Sequence, residues 1–383
     1  LFCVKLFEDH KDIKEIYTKN FKYILVDEFQ DTNFIQNKWL NLLVNQKQNI
    51  CCVGDDDQSI YSWRGAEIKN FLSFDKVYPK CKIFRLEQNY RSTKNILNAA
   101  SFLISHNKDR LGKKLWTNGN EGDSVKLNCY KNGKDEASEV ANNIENINKK
   151  NSLNDIAILV RAIYQTREFE ERFLKIGLNY RIIGGIKFYE RAEVKDAICY
   201  LRIINQKFDD IAFERVLNTP RRGIGDTTIK KLHEYSSKYK ICLEDSAKKL
   251  IEINALKPKI KIVIKNFLDL LNKWREDLIK NKHFDLLKIV LDESGYSAML
   301  KNKKDLENEN RIENLKELLR AMHDYDNLQG FLEHVALATS IDQDWEDEKV
   351  NIMTMHAAKG LEFEIVFLPG WEEGLFPHQK ALD

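Results

Sequence analysis

Two adjacent acids, Asp27 and Glu28, follow a short apolar stretch, Tyr23 to Val26. Such a run reads as a strand buried on both faces, as in a parallel α/β sheet. Ligands of open α/β sheets bind beyond the carboxyl ends of the strands, so both acids are expected at the mouth of a crevice. One carboxylate there can hold Mg²⁺, directly or through water, and a second can orient and deprotonate an attacking water in phosphoryl transfer. The same acids can equally end a core strand, with Asp31 and Thr32 capping the next helix. A second strand, Ile50 to Val53, runs into Gly54-Asp-Asp-Asp-Gln-Ser-Ile-Tyr-Ser-Trp-Arg-Gly-Ala66. Gln58 can hydrogen-bond a phosphate oxygen. Tyr61 and Trp63 offer flat faces, and Arg64 a cation, to a single-stranded nucleic acid. The alternative makes both aromatics core residues of a loop.

The elements that must hold these residues alternate in type. A helix is expected over Asn33 to Asn45, with Phe34, Trp39, Leu40, Leu42 and Leu43 as its buried positions. Strands are expected at Cys81 to Leu86, Ser124 to Tyr130 and Asp155 to Arg161, with helices between them, and a helix at Tyr164 to Gly177. After Gly184-Gly185, a hinge or a plain turn, the texture changes. From Phe188 to about Asp347 the periodicity is helical, as in Phe267, Leu271, Trp274 and Leu278 on one face. An acidic, Trp-bearing linker, Asp342 to Glu348, then leads back to strand signals at Val350 and at Ile365 to Leu368.

Composition narrows the class. A chain of 383 residues, 43% hydrophobic and 31% charged, is expected to form two or three ordered domains. Its net charge of +2 attracts a polyanion only weakly, so any nucleic-acid site must be a local basic groove. The seven cysteines are scattered and never spaced as CxxC, which argues against a disulfide framework or a zinc site and suits a reducing cytoplasm. No signal peptide and no membrane-length apolar run are evident, so a soluble protein without a membrane partner is expected.

Asp27-Glu-Phe-Gln-Asp-Thr32 followed by Val53-Gly-Asp-Asp-Asp-Gln-Ser-Ile-Tyr-Ser-Trp-Arg-Gly65 resembles motifs II and III of the UvrD/PcrA/Rep helicases of superfamily 1. Leu86-Glu-Gln-Asn-Tyr-Arg-Ser-Thr93 resembles motif IV, and Val350-Asn-Ile-Met-Thr-Met-His-Ala-Ala-Lys-Gly-Leu-Glu-Phe363 resembles motif V. Gly184 to Asp196 looks like the start of the family's helical insertion. The resemblance implies an α/β fold with two RecA-like motor domains, both incomplete here, and a mostly α-helical insertion in the second. The first motor domain would end with residues 1–79, the second would comprise 80–183 and 348–383, and the insertion 184–347.

The resemblance also implies roles for single residues. Asp27 would help hold Mg²⁺, Glu28 would activate water, and Gln58 and Arg91 would sense and stabilise the γ-phosphate of ATP. Tyr90 would stack on adenine, Gly360 and Glu362 would face the nucleotide, and Glu362 would accept from the ribose hydroxyls. Tyr61, Trp63 and Arg64 would grip single-stranded DNA, while Thr354, His356 and Lys359 would lie toward the DNA backbone. In Asn218-Thr-Pro-Arg-Arg-Gly-Ile-Gly-Asp-Thr-Thr228 the Gly223 and Gly225 backbone would approach a phosphate of a duplex junction, with Arg221 and Arg222 supplying charge and Thr227 capping the next helix. A plain interhelical turn is the alternative there. His356 could be an ordinary core or surface histidine, and Arg91 could pair with a surface acid while Tyr90 is core.

The implied activity is ATP-dependent DNA unwinding with 3′ to 5′ translocation, in repair or replication. Two alternatives are a DNA-binding or scaffold subunit that has lost its ATPase, and the helicase subunit of a helicase-nuclease. Protein partners are not indicated. No GxxxxGK[ST] phosphate loop occurs in the sequence, and the family's last arginine-bearing motif does not appear, so the chain reads as an internal piece of a longer enzyme. The purified chain is therefore expected to show no appreciable ATPase, with or without DNA; DNA-stimulated turnover by the pure chain would contradict this reading.

Overall fold

In the computed structural model, which describes residues 1–108, 110–302, 306–340 and 347–377, the chain forms two compact units, 1–128 and 129–383. The first is built on a parallel pair, β1 (Ile24–Val26) and β2 (Ile50–Cys52), with Ile24 opposite Ile50 and Val26 opposite Cys52. The helix Phe34–Leu43 joins them, started by Asn33, whose side chain accepts from the Gln36 N–H while Gln36 returns the bond. Asn33 is thus the cap, in place of Asp31 or Thr32. Buried Phe29 packs edge-on to Phe74 at 5.6 Å and sets the turn after β1 against the later helices of the unit. Burial lifts the Cys52 thiol to about 12, helped by Cys51.

Several expectations fail in this unit. β1 is not buried on both faces: Leu25 is 80% exposed, because a two-stranded pair alternates its side chains and covers one face. Phe34 and Trp39 are exposed, and of the expected buried positions of their helix only Leu43 is fully covered. Cys81 to Leu86 and Ser124 to Tyr130 form no ladder among the described residues, and Ile83, Phe84, Leu86 and Leu127 point into solvent. Apolar residues make a strand only where a second backbone accepts its N–H groups.

The second unit carries a four-stranded parallel sheet in the order β4 (Tyr180–Ile183), β5 (Val350–Thr354), β3 (Ile156–Val160), β6 (Ile365–Phe367). Helices Gly133–Ile147 and Thr166–Ile176 share its core, with Ala141, Ile144 and Phe173 fully buried against Ile156, Ile158 and Ile352. Gly177, in the left-handed region at φ 70°, ends the second of these helices. Gly184, at φ 71°, makes the turn after β4.

Between β4 and β5, which pair directly, every described regular element is a helix. Its core holds Phe267, Leu271 and Trp274 on one face of helix Pro258–Lys280, the periodicity read from sequence. Buried Arg191 ties this block to helix Thr166–Ile176, which packs on the sheet, donating to Asn314 Oδ1 at 2.8 Å and to Thr166 Oγ1 at 2.8 Å. Arg167 does the same, donating to Glu317 Oε1 at 2.6 Å. Most of the expected linker, 342–346, lies outside the described residues. No described helix is long and apolar enough to cross a membrane, and all seven cysteines are free thiols.

Asn351 fixes the start of β5. It accepts from Arg181 Nε at 2.7 Å and donates to the carbonyls of Asn154 at 2.8 Å and Ile156 at 3.0 Å. Asn351→Leu should therefore cost about 1–3 kcal/mol, because it strands the buried Ile156 carbonyl and removes two part-buried bonds. A lowered urea midpoint at unchanged slope is the expected result, and an unchanged midpoint would refute the role.

Candidate nucleotide and DNA site

β1 and β2 end side by side. Val53 N–H donates to the Val26 carbonyl at 2.8 Å, and Phe29 N–H donates to the Val53 carbonyl at 2.9 Å. Asp27-Glu28 and Gly54-Asp55 therefore leave the pair at the same edge. Glu28 sits at φ 51°, a left-handed conformation that disfavours residues with a side chain. Its N–H donates to Asp27 Oδ1 at 2.8 Å. Two carboxylates beyond the carboxyl ends of parallel strands form a hard-oxygen set suited to Mg²⁺.

Gln30 binds the two strand ends together. Fully buried, it donates from Nε2 to Glu28 Oε2 at 2.6 Å and accepts the Asp55 N–H on Oε1 at 3.1 Å. Gly54 makes room for it: a Cβ there would lie 2.6 Å from Gln30 Oε1 and 2.7 Å from Phe71 Cε2.

Beyond Gly54 the acids fold into a short 3₁₀ turn, Asp56–Gln58, capped by Asp55, which accepts from the Asp57 N–H at 3.0 Å. Gln58 Nε2 donates to Asp55 Oδ2 at 2.8 Å. Carboxylate oxygens of Asp55, Asp56 and Asp57 lie within 4.8 Å of one another, close enough to share a cation. Protein groups already supply the compensation. Arg110 grips Asp57 with Nε and Nη2 at 2.9 and 2.5 Å, Lys113 pairs with Asp55, and Leu111 N–H donates to Asp56. The Arg110 hydrogen bond, with the charges of Lys113 and Arg110, holds the Asp57 carboxyl below its ordinary range despite partial burial.

The aromatic pair lies just beyond. Trp63 is 53% exposed and Tyr61 half-buried, so Trp63 is not a core residue of a loop. The Arg64 guanidinium stands 4.9 Å from the Trp63 ring and 5.5 Å from the Tyr61 ring, placing a cation beside two flat faces. Further along, Asn89 Oδ1 accepts the N–H groups of Arg91 and Ser92 at 3.0 and 2.8 Å, which shapes the turn that presents Tyr90 and Arg91. Tyr90 is 84% exposed, so it is not a core residue; its hydroxyl donates to Gln88 at 2.7 Å.

In the second unit Thr354 closes β5, and its Oγ1 accepts the Ala357 N–H at 3.2 Å. That bond starts the turn carrying His356, Lys359 and Gly360, and Gly360 at φ 85° leads to exposed Glu362. In the helical block Asn218 staples the loop: Oδ1 accepts from Arg222 N–H at 2.8 Å, and Nδ2 donates to the Ile224 carbonyl at 2.7 Å. Gly223 at φ 79° needs a residue without a side chain, and a Cβ at Gly223 or Gly225 would meet nothing within 4 Å. Gly225, not Thr227, is the N-cap of helix Asp226–Tyr239, and Thr227 lies in its first turn.

The UvrD/REP helicase N-terminal domain matches residues 1–79, and the UvrD-like helicase C-terminal domain matches residues 84–383. The chain belongs to the UvrD/Rep helicase family. It is 43% identical to a probable DNA helicase II homolog of Rickettsia conorii, covering 100% of this chain and 59% of the relative. It is 43% identical to DNA helicase II of Escherichia coli, covering 97% of this chain and 53% of the relative. With the ATP-dependent DNA helicase PcrA of Bacillus subtilis the identity is 41%, over 99% of this chain and 53% of the relative. The chain thus spans between half and three-fifths of the length of these relatives.

Within this UvrD/Rep framework, Glu28 and Gln58 are linked through Gln30 and Asp55, Asp27 accepts from the Glu28 N–H, and Tyr61, Trp63 and Arg64 cluster just before Gly65 and its left-handed turn. Thr354, His356, Lys359 and Gly360 share one turn of the second unit. Sequence reasoning missed Gln30, Asn89, Arg110 and Asn218. The amides sit inside the quoted motifs, and their residue types were the available signal. Arg110 pairs across 53 positions and left none.

The arginine pair divides. Arg221 is exposed, whereas Arg222 donates to the carbonyls of Val216 and Leu217 at 2.7 and 3.1 Å and to the Tyr200 hydroxyl at 2.8 Å, its guanidinium 4.9 Å from the Phe267 ring. Arg222→Ala should lower the thermal midpoint of the helical block, with a cost of about 1–3 kcal/mol from the orphaned acceptors. Arg221→Ala should leave the midpoint unchanged, because the side chain is exposed. Equal melting of both variants would reject this division.

Proposed function

We propose that this chain is the central part of an ATP-dependent DNA helicase that moves 3′ to 5′ along single-stranded DNA and opens the duplex ahead. The observation that carries the reading is the shared edge where Asp27-Glu28 meets the turn leading, within ten residues of Gly54, to Trp63 and Arg64. ATP with Mg²⁺, when bound, supplies the phosphoryl group and the divalent charge. Asp27 holds the metal, and Glu28 takes the proton of the attacking water. Gln58 senses the γ-phosphate, Arg91 neutralises its developing charge and Tyr90 gives adenine a flat face. Gly360 lets the backbone come close to the nucleotide, and Glu362 accepts from its ribose.

Tyr61, Trp63 and Arg64 hold the single strand by stacking and charge, while Thr354, His356 and Lys359 meet its backbone. Arg221 and the open backbone at Gly223 and Gly225 meet the duplex at the junction. We assign residues 1–79 to the first RecA-like motor domain, 80–183 with 348–383 to the second, and 184–347 to a helical insertion, while residues 80–128 pack in one compact unit with 1–79. The division of the family models between residues 79 and 84, and the return from β4 to its neighbour β5 after the helical block, support that assignment. Seven free thiols suit a reducing compartment, and we place the enzyme in the cytoplasm.

Glu28→Gln in the full-length protein should retain ATP and single-strand binding while hydrolysis falls by about two orders of magnitude or more, since an amide cannot take the proton. Hydrolysis within a few-fold of the parent would remove Glu28 from this role.

A further inference from the structure

We infer that Gln30 is a positioning residue for hydrolysis: its amide fixes the Glu28 carboxylate and couples it to the turn that carries Gln58 and leads to the strand-gripping aromatics. The inference rests on the reading of Glu28 as the base. A hydrogen-bonded path connects these groups. Glu28 Oε2 accepts from Gln30 Nε2 at 2.6 Å, Gln30 Oε1 accepts from Asp55 N–H at 3.1 Å, and Asp55 Oδ2 accepts from Gln58 Nε2 at 2.8 Å.

The chemistry of the link selects glutamine. It needs one donor toward a carboxylate and one acceptor toward a backbone N–H, at the two ends of a planar group. Glutamate would offer Glu28 a like charge and no donor, asparagine is too short to span both partners, and methionine supplies no N–H. The amide has no solvent to fall back on, because Gln30 is 0% exposed, whereas Glu28 beside it is exposed. A buried amide with two partners in register has one favourable orientation, so the carboxylate it holds inherits that orientation. Glu28 is held in a left-handed backbone conformation at φ 51°, a sparsely populated region, and its carboxylate receives the Gln30 bond from that position. The room for the amide comes from Gly54, at the end of the opposite strand.

The path also has a direction. Gln58 lies three residues before Tyr61 and five before Trp63, so a shift of the aromatics on a bound strand displaces the Asp55–Gln58 turn. Through the Asp55 N–H that displacement reaches Gln30, and through Nε2 it reaches Glu28. Arg110 and Lys113, clamped on Asp57 and Asp55, make the turn move as one piece.

The test uses the full-length protein. Gln30→Met keeps the buried volume and removes both polar contacts. DNA-stimulated kcat for ATP hydrolysis should fall roughly 10- to 100-fold, with KM for ATP and single-strand affinity changing by about twofold or less. In a Glu28→Gln background the same substitution should cause no further loss, because Gln30 acts through that carboxylate. Gln30→Glu should lose more activity as pH rises and the new acid ionises against Glu28, with partial recovery toward lower pH, where its protonated form can donate. A kcat within about twofold of the parent in Gln30→Met, or losses that multiply in the double variant, would overturn the inference. If Gln30→Met does not fold, a pH-independent loss in Gln30→Glu overturns it. Full activity in Glu28→Gln would remove the base and the inference together, whereas a dead Glu28→Gln beside an active Gln30→Met removes the inference alone.

Discussion

One buried amide holds the site together. Parallel strands bring their carboxyl ends to a common edge, but they do not by themselves orient the side chains beyond those ends. Gln30 does so because a buried donor and acceptor must both be satisfied, and its partners are a carboxylate after β1 and a backbone N–H after β2. Several features around the strand ends fit that requirement. Gly54 must lack a side chain, Phe29 must point inward, and the acids after Gly54 must turn tightly enough to present Gln58. The charge this creates at Asp55 and Asp57 is met by Lys113 and Arg110 from a distant stretch of the same unit.

The second unit solves a different problem. A sheet whose neighbouring strands β4 and β5 are separated by a long helical excursion can keep its register only if both ends of the excursion are anchored. Asn351 anchors β5 by three hydrogen bonds. Arg191 and Arg167 anchor the helices, each sharing its guanidinium between residues near the sheet and residues on helix Leu306–Met322. Breaking such a buried pair on one side costs more than the pair contributes, which favours a fixed attachment.

Much of this was legible in sequence where the signal was local. β2, β3, β5 and β6, the face of helix Pro258–Lys280 and the glycine turn at Gly223 come from period and residue type. The UvrD/Rep motifs were equally plain. The expectations that failed depended on partners far away in the chain. The apolar stretches at Cys81 to Leu86 and Ser124 to Tyr130 carry strand composition, yet a ladder needs a neighbour that composition cannot name. Arg221 and Arg222 look alike in a string of letters, and only the Phe267 ring and the Tyr200 hydroxyl separate a packed guanidinium from an exposed one. Gln30 lay inside a recognised motif, but its second partner, Asp55, is 25 residues away.

The central claim is that strand grip and ATP hydrolysis are linked through the paired ends of β1 and β2. Its most direct test is the steady-state hydrolysis rate of the full-length protein with and without saturating single-stranded DNA. The account predicts a rise of about tenfold or more, equal to about 1.4 kcal/mol off the barrier. Tight strand binding with an unchanged hydrolysis rate would contradict it.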